Sequence, residues 1–271
     1  MSPVIQDPAA GQPVAGDDNP LAYLSASRLN TWLGCRLKFF FRYVAGIRKP
    51  MTPALHIGKT VHATLQRWNL ARWHGDDLDP NNLWARFCQD WDEDQAGHDI
   101  DWGDDEPETK EHTWRLLEAY FEQTPVPVDE RPEGVEVRAG VELSHHGLPG
   151  LVGVIDLVRE GGVIVDFKTA SATPSPGQAA QTNEIQLSCY ALLYRGATGM
   201  RETGFELHHL VKNKTPKILV TPLDPMTARQ ELRLLRIMES YVQGIEAEDY
   251  VPSPGLQCSY CQYIGECRKW C

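Results

Sequence analysis

Apolar residues recur along this chain at two periods, and the change from one to the other divides it. In His56–Trp73, Ile57, Val61, Leu65 and Trp68 fall at the three-to-four-residue spacing of one helix face. Upstream, Ser25 or Ser27 can cap an amphipathic helix running to about Tyr43. Leu83–Trp91 and Thr109–Phe121 carry further helical patterns, after which Pro125, Pro127 and Pro132 interrupt the chain. Beyond Pro132 the apolar runs shorten and fill with Val, Ile and Leu. Val135–Ser144, Leu151–Arg159, Val163–Lys168 and Phe205–Val211 read as strands, with Lys217–Thr221 a weaker fifth. A helix over about Glu184–Arg195 separates the third strand from the fourth, and Pro225–Ile245 forms a longer one near the C-terminus. This order predicts an α/β domain with helices before a mixed sheet.

The third strand ends in Asp166-Phe167-Lys168. Side chains alternate between strand faces, so Asp166 and Lys168 point the same way, roughly 6 to 7 Å apart, while Phe167 faces the core. If Gly147–Arg159 and Val163–Lys168 form a hairpin turning at Gly161-Gly162, Asp156 lies near Asp166 across the pair. Carboxylate oxygens suit Mg²⁺ or Mn²⁺, which polarises a phosphodiester and activates water, and a nearby ammonium orients that water or offsets phosphate charge. An Asp-x-Lys on a strand is common by itself, and many such pairs are exposed ion pairs of small energetic weight. The weight of this one comes from what surrounds it.

A chain of 271 residues suffices for one α/β domain with a helical insertion. Met1–Pro20, rich in Pro, Ala, Gly, Asp and Gln, reads as a disordered tail, with folded structure from Leu21 onward. Neither a membrane span nor a secretory signal is legible, so a cytoplasmic protein is expected. A net charge of −11 speaks against nucleic acid until its distribution is considered. Between Asp76 and Glu111, 14 acidic residues stand against Arg86 and Lys110, a local balance of −12, leaving +1 for the remainder. Conversely, Arg28, Arg36, Lys38, Arg42, Arg48 and Lys49 occur with no acid among them, interleaved with Trp32, Phe39, Phe40, Phe41 and Tyr43. That mixture suits a single strand of nucleic acid, and it equally suits an amphipathic helix with a buried aromatic face.

Cys258, Cys261 and Cys267 give C-x2-C-x5-C near the C-terminus, and Cys35 lies alone near the other end. Four thiolates from the two ends would form a clasp around zinc or an iron-sulfur cluster, and spacing alone does not choose between them. Disulfides are disfavoured in a reducing cytosol. Cys88 and Cys189 have apolar neighbours and read as packed side chains, and Cys271 is a spare ligand. Gly58-Lys59-Thr60 imitates the end of a phosphate-binding loop, but the first glycine of that motif would fall at Pro53, so no ATPase is expected.

Leu24-Ser25-Ala26-Ser27-Arg28-Leu29 leading to Cys35, then Gly58-x3-His62, Gly153-Val154-Ile155-Asp156, Val165-Asp166-Phe167-Lys168, Gln186-x3-Tyr190 and the terminal cysteines follow one another in an order that resembles the RecB-type PD-(D/E)XK nucleases. The likeness is to their iron-sulfur subgroup, which includes CRISPR-associated RecB-like exonucleases and the AddB nuclease domain, and it covers nearly everything after residue 20. It implies a restriction-endonuclease-like α/β core, a central mixed sheet flanked by helices, within a single domain over 21–271. A helical insertion would occupy about 69–130, and a cluster-binding segment about 250–271. It further implies that His62, Asp156, Asp166 and the Phe167 carbonyl bind Mg²⁺ or Mn²⁺, the imidazole making Mn²⁺ an alternative, and that Lys168 activates water. Gln186 and Tyr190, one helical turn apart, would steady Lys168 or contact the DNA backbone. Cys35, Cys258, Cys261 and Cys267 would hold a [4Fe-4S] cluster. The implied function is a DNA exonuclease acting on single strands or ends in repair, recombination or CRISPR adaptation. With no room for a motor domain, any unwinding would come from a partner, with a helicase, recombinase or CRISPR integrase as candidates, and a nuclease subunit of a larger helicase or integrase complex is the nearer alternative. A non-catalytic DNA-end-binding scaffold is the reading from another class, and the intact Asp156, Asp166 and Lys168 oppose it.

Overall fold

Strands β1 (Gly134–Val141), β2 (Leu151–Arg159), β3 (Val163–Ala170), β4 (Gly204–Val211) and β5 (Lys217–Leu223) form one sheet in sequential order. In this computed structural model, which describes residues 19–270 apart from 77, 78, 104 and 128, only β3 and β4 run parallel. Their crossover is α6 (Pro176–Thr198). The β2–β3 hairpin turns at Gly161 and Gly162, whose φ values of 83° and 78° lie where glycine is favoured.

Helices cover both faces, which explains why Val163-Ile164-Val165 shows no polar alternation. On one face α1 (Ala26–Gly34), α6 and α7 (Ala228–Glu246) bury Leu29, Leu187, Ala191, Tyr194 and Met238 against Ile155, Val158, Ile164 and Leu207. On the other, α3 (Pro53–His74), α4 (Pro80–Ala96) and α5 (Glu106–Gln123) bring Val61, Leu65, Trp68, Leu117 and Tyr120 onto Leu157, Val165 and Phe167. Each fully buried Leu or Val contributes about 1.5–3 kcal/mol. The acidic stretch lies on this second layer and is tied down by cations: Arg67 pairs with Asp90, Lys59 with Asp94 and Lys110 with Asp92. Among the described residues no helix is long and apolar enough to cross a membrane.

Several boundaries differ from those read in the sequence, for local reasons. The expected helix from Ser25 to Tyr43 is broken. Ser25, not Ser27, caps α1 by accepting from Arg28 N, and α1 stops at Cys35, which is extended at φ −168°. Cys35 Sγ then accepts from Lys38 N at 3.5 Å, starting the short α2 (Arg36–Phe39) before a π-type turn over Phe40–Val44. Helix α3 begins at Pro53 because Thr52 caps it and proline occupies its first turn. The polar residues before Glu184 belong to α6, which Ser175 caps and Pro176 opens; its first two turns lack an apolar stripe that would betray them. Strand β1 ends at Val141, and Ser144–His146 is a 3₁₀ turn. Lys217–Leu223 is a full strand on β4.

Most of the expected disordered tail falls outside the described residues, as does Cys271. Asn19 and Pro20 already belong to the fold: Asn19 O accepts from Ala22 N, and Pro20 O accepts from Arg28 Nη1 at 3.0 Å and from the Tyr241 hydroxyl at 2.6 Å.

Candidate functional site

Pairing between β2 and β3 stops at Leu157 with Val165. One residue further, where Asp156 and Asp166 would face each other, the strands part and leave a fork. The freed backbone groups of Phe167 are satisfied by side chains: Phe167 N donates to Asp156 Oδ2 at 3.0 Å, and Phe167 O lies 3.0 Å from His62 Nε2. His62 comes from α3, which crosses this face of the sheet, and its Nδ1 is 3.5 Å from Asp156 Oδ2. Gly153 permits the approach of the opposite layer, since a Cβ there would meet Leu193 Cδ1 of α6 at 2.8 Å.

Asp166 and Lys168 stand on the α6 side, as strand parity predicts. Lys168 Nζ donates to Asp166 Oδ1 at 3.1 Å and to Gln186 Oε1 at 2.8 Å. Gln186 Nε2 donates in turn to Asp166 Oδ1 at 2.9 Å and to the Tyr190 hydroxyl at 2.8 Å. The amide thus uses its acceptor and both donor directions, which fixes its orientation and gives the one-turn Gln-x3-Tyr spacing a physical purpose. Asp166 Oδ2 lies 2.8 Å from Lys168 Nζ without hydrogen-bond geometry, and it is buried with no hydrogen-bond partner. A buried carboxylate oxygen without a hydrogen bond retains lone pairs that a cation can use.

The electrostatics agree. Burial, opposed by Lys168 and reinforced by Asp156, raises the Asp166 pKa above the carboxylate range. Burial works against the His62 imidazolium, yet the hydrogen bond and charge of Asp156, with Asp166 behind it, hold its pKa above the ordinary value. Burial and the nearby carboxylates also raise the Tyr190 phenol, so it remains a neutral hydroxyl. The site's donor set of carboxylates, one imidazole and one carbonyl fits Mg²⁺ or Mn²⁺.

One participant escaped the sequence reading. His62, Glu136 and Asp156 each offer a ligand atom within 4.8 Å of the others, the one such trio among the described residues. Glu136 sits on β1, where Val135-Glu136-Val137 looked like plain alternation. Only the pairing of Val135 with Leu157 and of Val137 with Ile155 places it opposite Asp156. Burial and then the charge of Asp156 push its carboxyl up to about 7.

Cys35, Cys258, Cys261 and Cys267 line one small cavity with Leu37, Phe41 and Tyr263. All four are free thiols. Among the described residues no three of these sulfurs come within 4.8 Å of one another. Cys189 is buried and Cys88 half-buried in the helical layers, as expected. The basic stretch is partly spent on structure: Arg28 is buried and holds the Pro20 and Tyr23 carbonyls, Arg36 pairs with Asp249, and Lys49 pairs with Glu266.

A five-stranded mixed sheet flanked by helices, with carboxylates and a lysine at the fork of its central hairpin, defines a restriction-endonuclease-like nuclease fold. The chain belongs to the PD-(D/E)XK nuclease superfamily, whose model matches residues 23–268. No curated protein matches it in sequence. Among solved structures it is similar to a "Putative exonuclease" from Eubacterium rectale, with TM-score 0.60 and 13% identity over 96% of this chain and 92% of that one. SSO0001 matches at TM-score 0.38 and 13% identity, over 88% of this chain and 92% of that one.

Proposed function

We propose that this chain is a divalent-metal-dependent deoxyribonuclease that hydrolyses phosphodiester bonds, acting mainly on single strands or DNA ends. The observation that supports this reading is the fork itself: His62 lies against both Asp156 and the Phe167 carbonyl, and on the neighbouring strand Asp166 and Gln186 hold the ammonium of Lys168. A divalent cation held there supplies charge for the scissile phosphate and acidity to water. The chain's own residues do the rest. Asp166 and Gln186 grip Lys168 Nζ from two sides, so the ammonium meets a phosphate oxygen or the attacking water without reorganising. Tyr190 holds Gln186, and Asp156 fixes the Phe167 amide so that the adjoining carbonyl is presented. The preference for ends draws support from the family resemblance and from the exonuclease name of the similar Eubacterium rectale structure.

The same reading assigns a [4Fe-4S] cluster to Cys35, Cys258, Cys261 and Cys267. The support for it is that all four cysteines line one cavity, as a four-thiolate cluster site requires.

End-labelled single- and double-stranded DNA and covalently closed circles, digested with Mg²⁺ or Mn²⁺, test the activity. Linear DNA should be degraded, circles spared, and Asp166→Ala inactive; equal cleavage by that variant would refute the centre. Iron and sulfide analysis of anaerobically purified protein tests the cluster, and stoichiometric zinc without iron would refute it.

A further inference from the structure

Glu136 has a geometry that a β-strand does not demand. Its φ is 49°, a left-handed value for a non-glycine residue inside β1. Its neighbours show what the kink does. Val135 packs in the layer formed by α3–α5, and Val137, two residues on, packs in the opposite layer beneath α6. Residues two apart on a regular strand share a face, so β1 loses its alternation at Glu136. Strand β2 does the same across the pair, where Ile155 packs beneath α6 and Leu157 beneath α3–α5. The two slips coincide, and they turn Glu136 and Asp156 together toward His62 at the mouth of the fork.

The carboxylate so placed has no hydrogen bond and no salt bridge among the described residues, although it is only partly exposed and stands beside the negative charge of Asp156. Two like charges brought together on a kinked backbone, with no protein cation bonded to Glu136, call for an outside one. The three ligand atoms of His62, Glu136 and Asp156 lie within 4.8 Å of one another, and on the neighbouring strand Asp166 Oδ2, on a side chain 1% exposed, lies 2.8 Å from Lys168 Nζ and accepts no hydrogen bond.

We propose that Glu136 is a ligand of the divalent cation, alongside His62 and Asp156. The centre then has two arms that share Asp156. His62 and Glu136 grip the cation from the α3 side, and Asp166 with Lys168 and Gln186 faces it from the α6 side. This proposal rests on the nuclease reading above and adds a protein ligand to it.

Mn²⁺ binding to the full chain without DNA, followed by electron paramagnetic resonance, tests it independently of cleavage. Glu136→Gln should bind Mn²⁺ about tenfold or more weakly than wild type, while its cation-free melting temperature and circular dichroism show an intact fold. Glu136→Asp should recover part of the lost affinity. Equal Mn²⁺ affinity in wild type and Glu136→Gln would overturn the role of Glu136 and leave the nuclease reading standing. A wild type that neither binds Mn²⁺ nor cleaves DNA would overturn both.

Discussion

The fork and the cysteine clasp are both polar sites in one chain, yet they are held in opposite ways. At the fork, every candidate side chain rides on a long element of the main cores, and most are bonded to one another: Asp156 to Phe167, Lys168 to Asp166 and Gln186, Gln186 to Tyr190. The clasp has a small apolar cluster of its own in which only Leu37, Phe41 and Tyr263 are fully buried. Leu256 and Tyr260 beside it are 89% and 76% exposed. A few bonds tie it to the N-terminal helices, among them Leu37 N to Val251 O and the Tyr263 hydroxyl to Ile47 O. The fork is therefore a site that the fold supports, whereas the clasp has few protein contacts of its own and, on the proposed reading, relies on its cluster.

That contrast can be broken by experiment. The largest effect should come from Asp166→Ala, lowering cleavage by roughly three orders of magnitude or more while leaving bound iron and melting temperature intact; an unfolded variant would show that the fork is not self-supporting. Cys258→Ser should reverse the pattern, losing iron and lowering the melting temperature by roughly 10 °C, as calorimetry and iron analysis would reveal. Gln186→Ala should slow cleavage about ten- to a hundredfold, with kcat affected more than KM, because it loosens Lys168 rather than removing it.

The smallest effect is a pH dependence. Burial and Asp156 raise the Glu136 pKa in the folded chain to about 7. A raised carboxyl contributes stability that is present below its unfolded value and lost as pH rises through the folded one, so this contribution disappears between about pH 4.5 and 7. His56 and His208, both lowered chiefly by burial, act in the opposite sense: their contribution is present above the unfolded value near 6.5 and falls away as pH drops through the folded ones. Wild type compared with Glu136→Gln isolates the first effect. Without cation at pH 8 the variant should melt higher by ~2–4 °C, a difference that vanishes near pH 4.5. Mn²⁺ should raise wild type more than the variant.

Much of the fork was legible because strand parity and helical spacing are local rules. Asp166 and Lys168 two apart, and Gln186 and Tyr190 four apart, announce shared faces without knowledge of the fold. Glu136 did not announce itself, since its meaning depends on a kink that reverses parity and on a register that brings it to Asp156 from 20 positions away (156 − 136). The sheet was readable from its apolar runs, even its weak fifth strand. The start of α6 was not, because Gln178–Asn183 lacks a stripe, and neither was the break at Cys35, where a thiol replaces a conventional cap.

The break at Cys35 also bears on the order of assembly. Cys35 and Cys258 are 223 positions apart (258 − 35), so a ribosome adding about 5–20 residues per second makes the first thiol wait roughly 10 to 45 s for its partners. Closing so long a loop costs entropy that only the finished contacts return. The sheet and both helical layers are synthesised before Cys258 and can pack first. A chain lacking only residues 252–271 would thus keep the fork and lose the closure between Cys35 and the trio Cys258, Cys261 and Cys267.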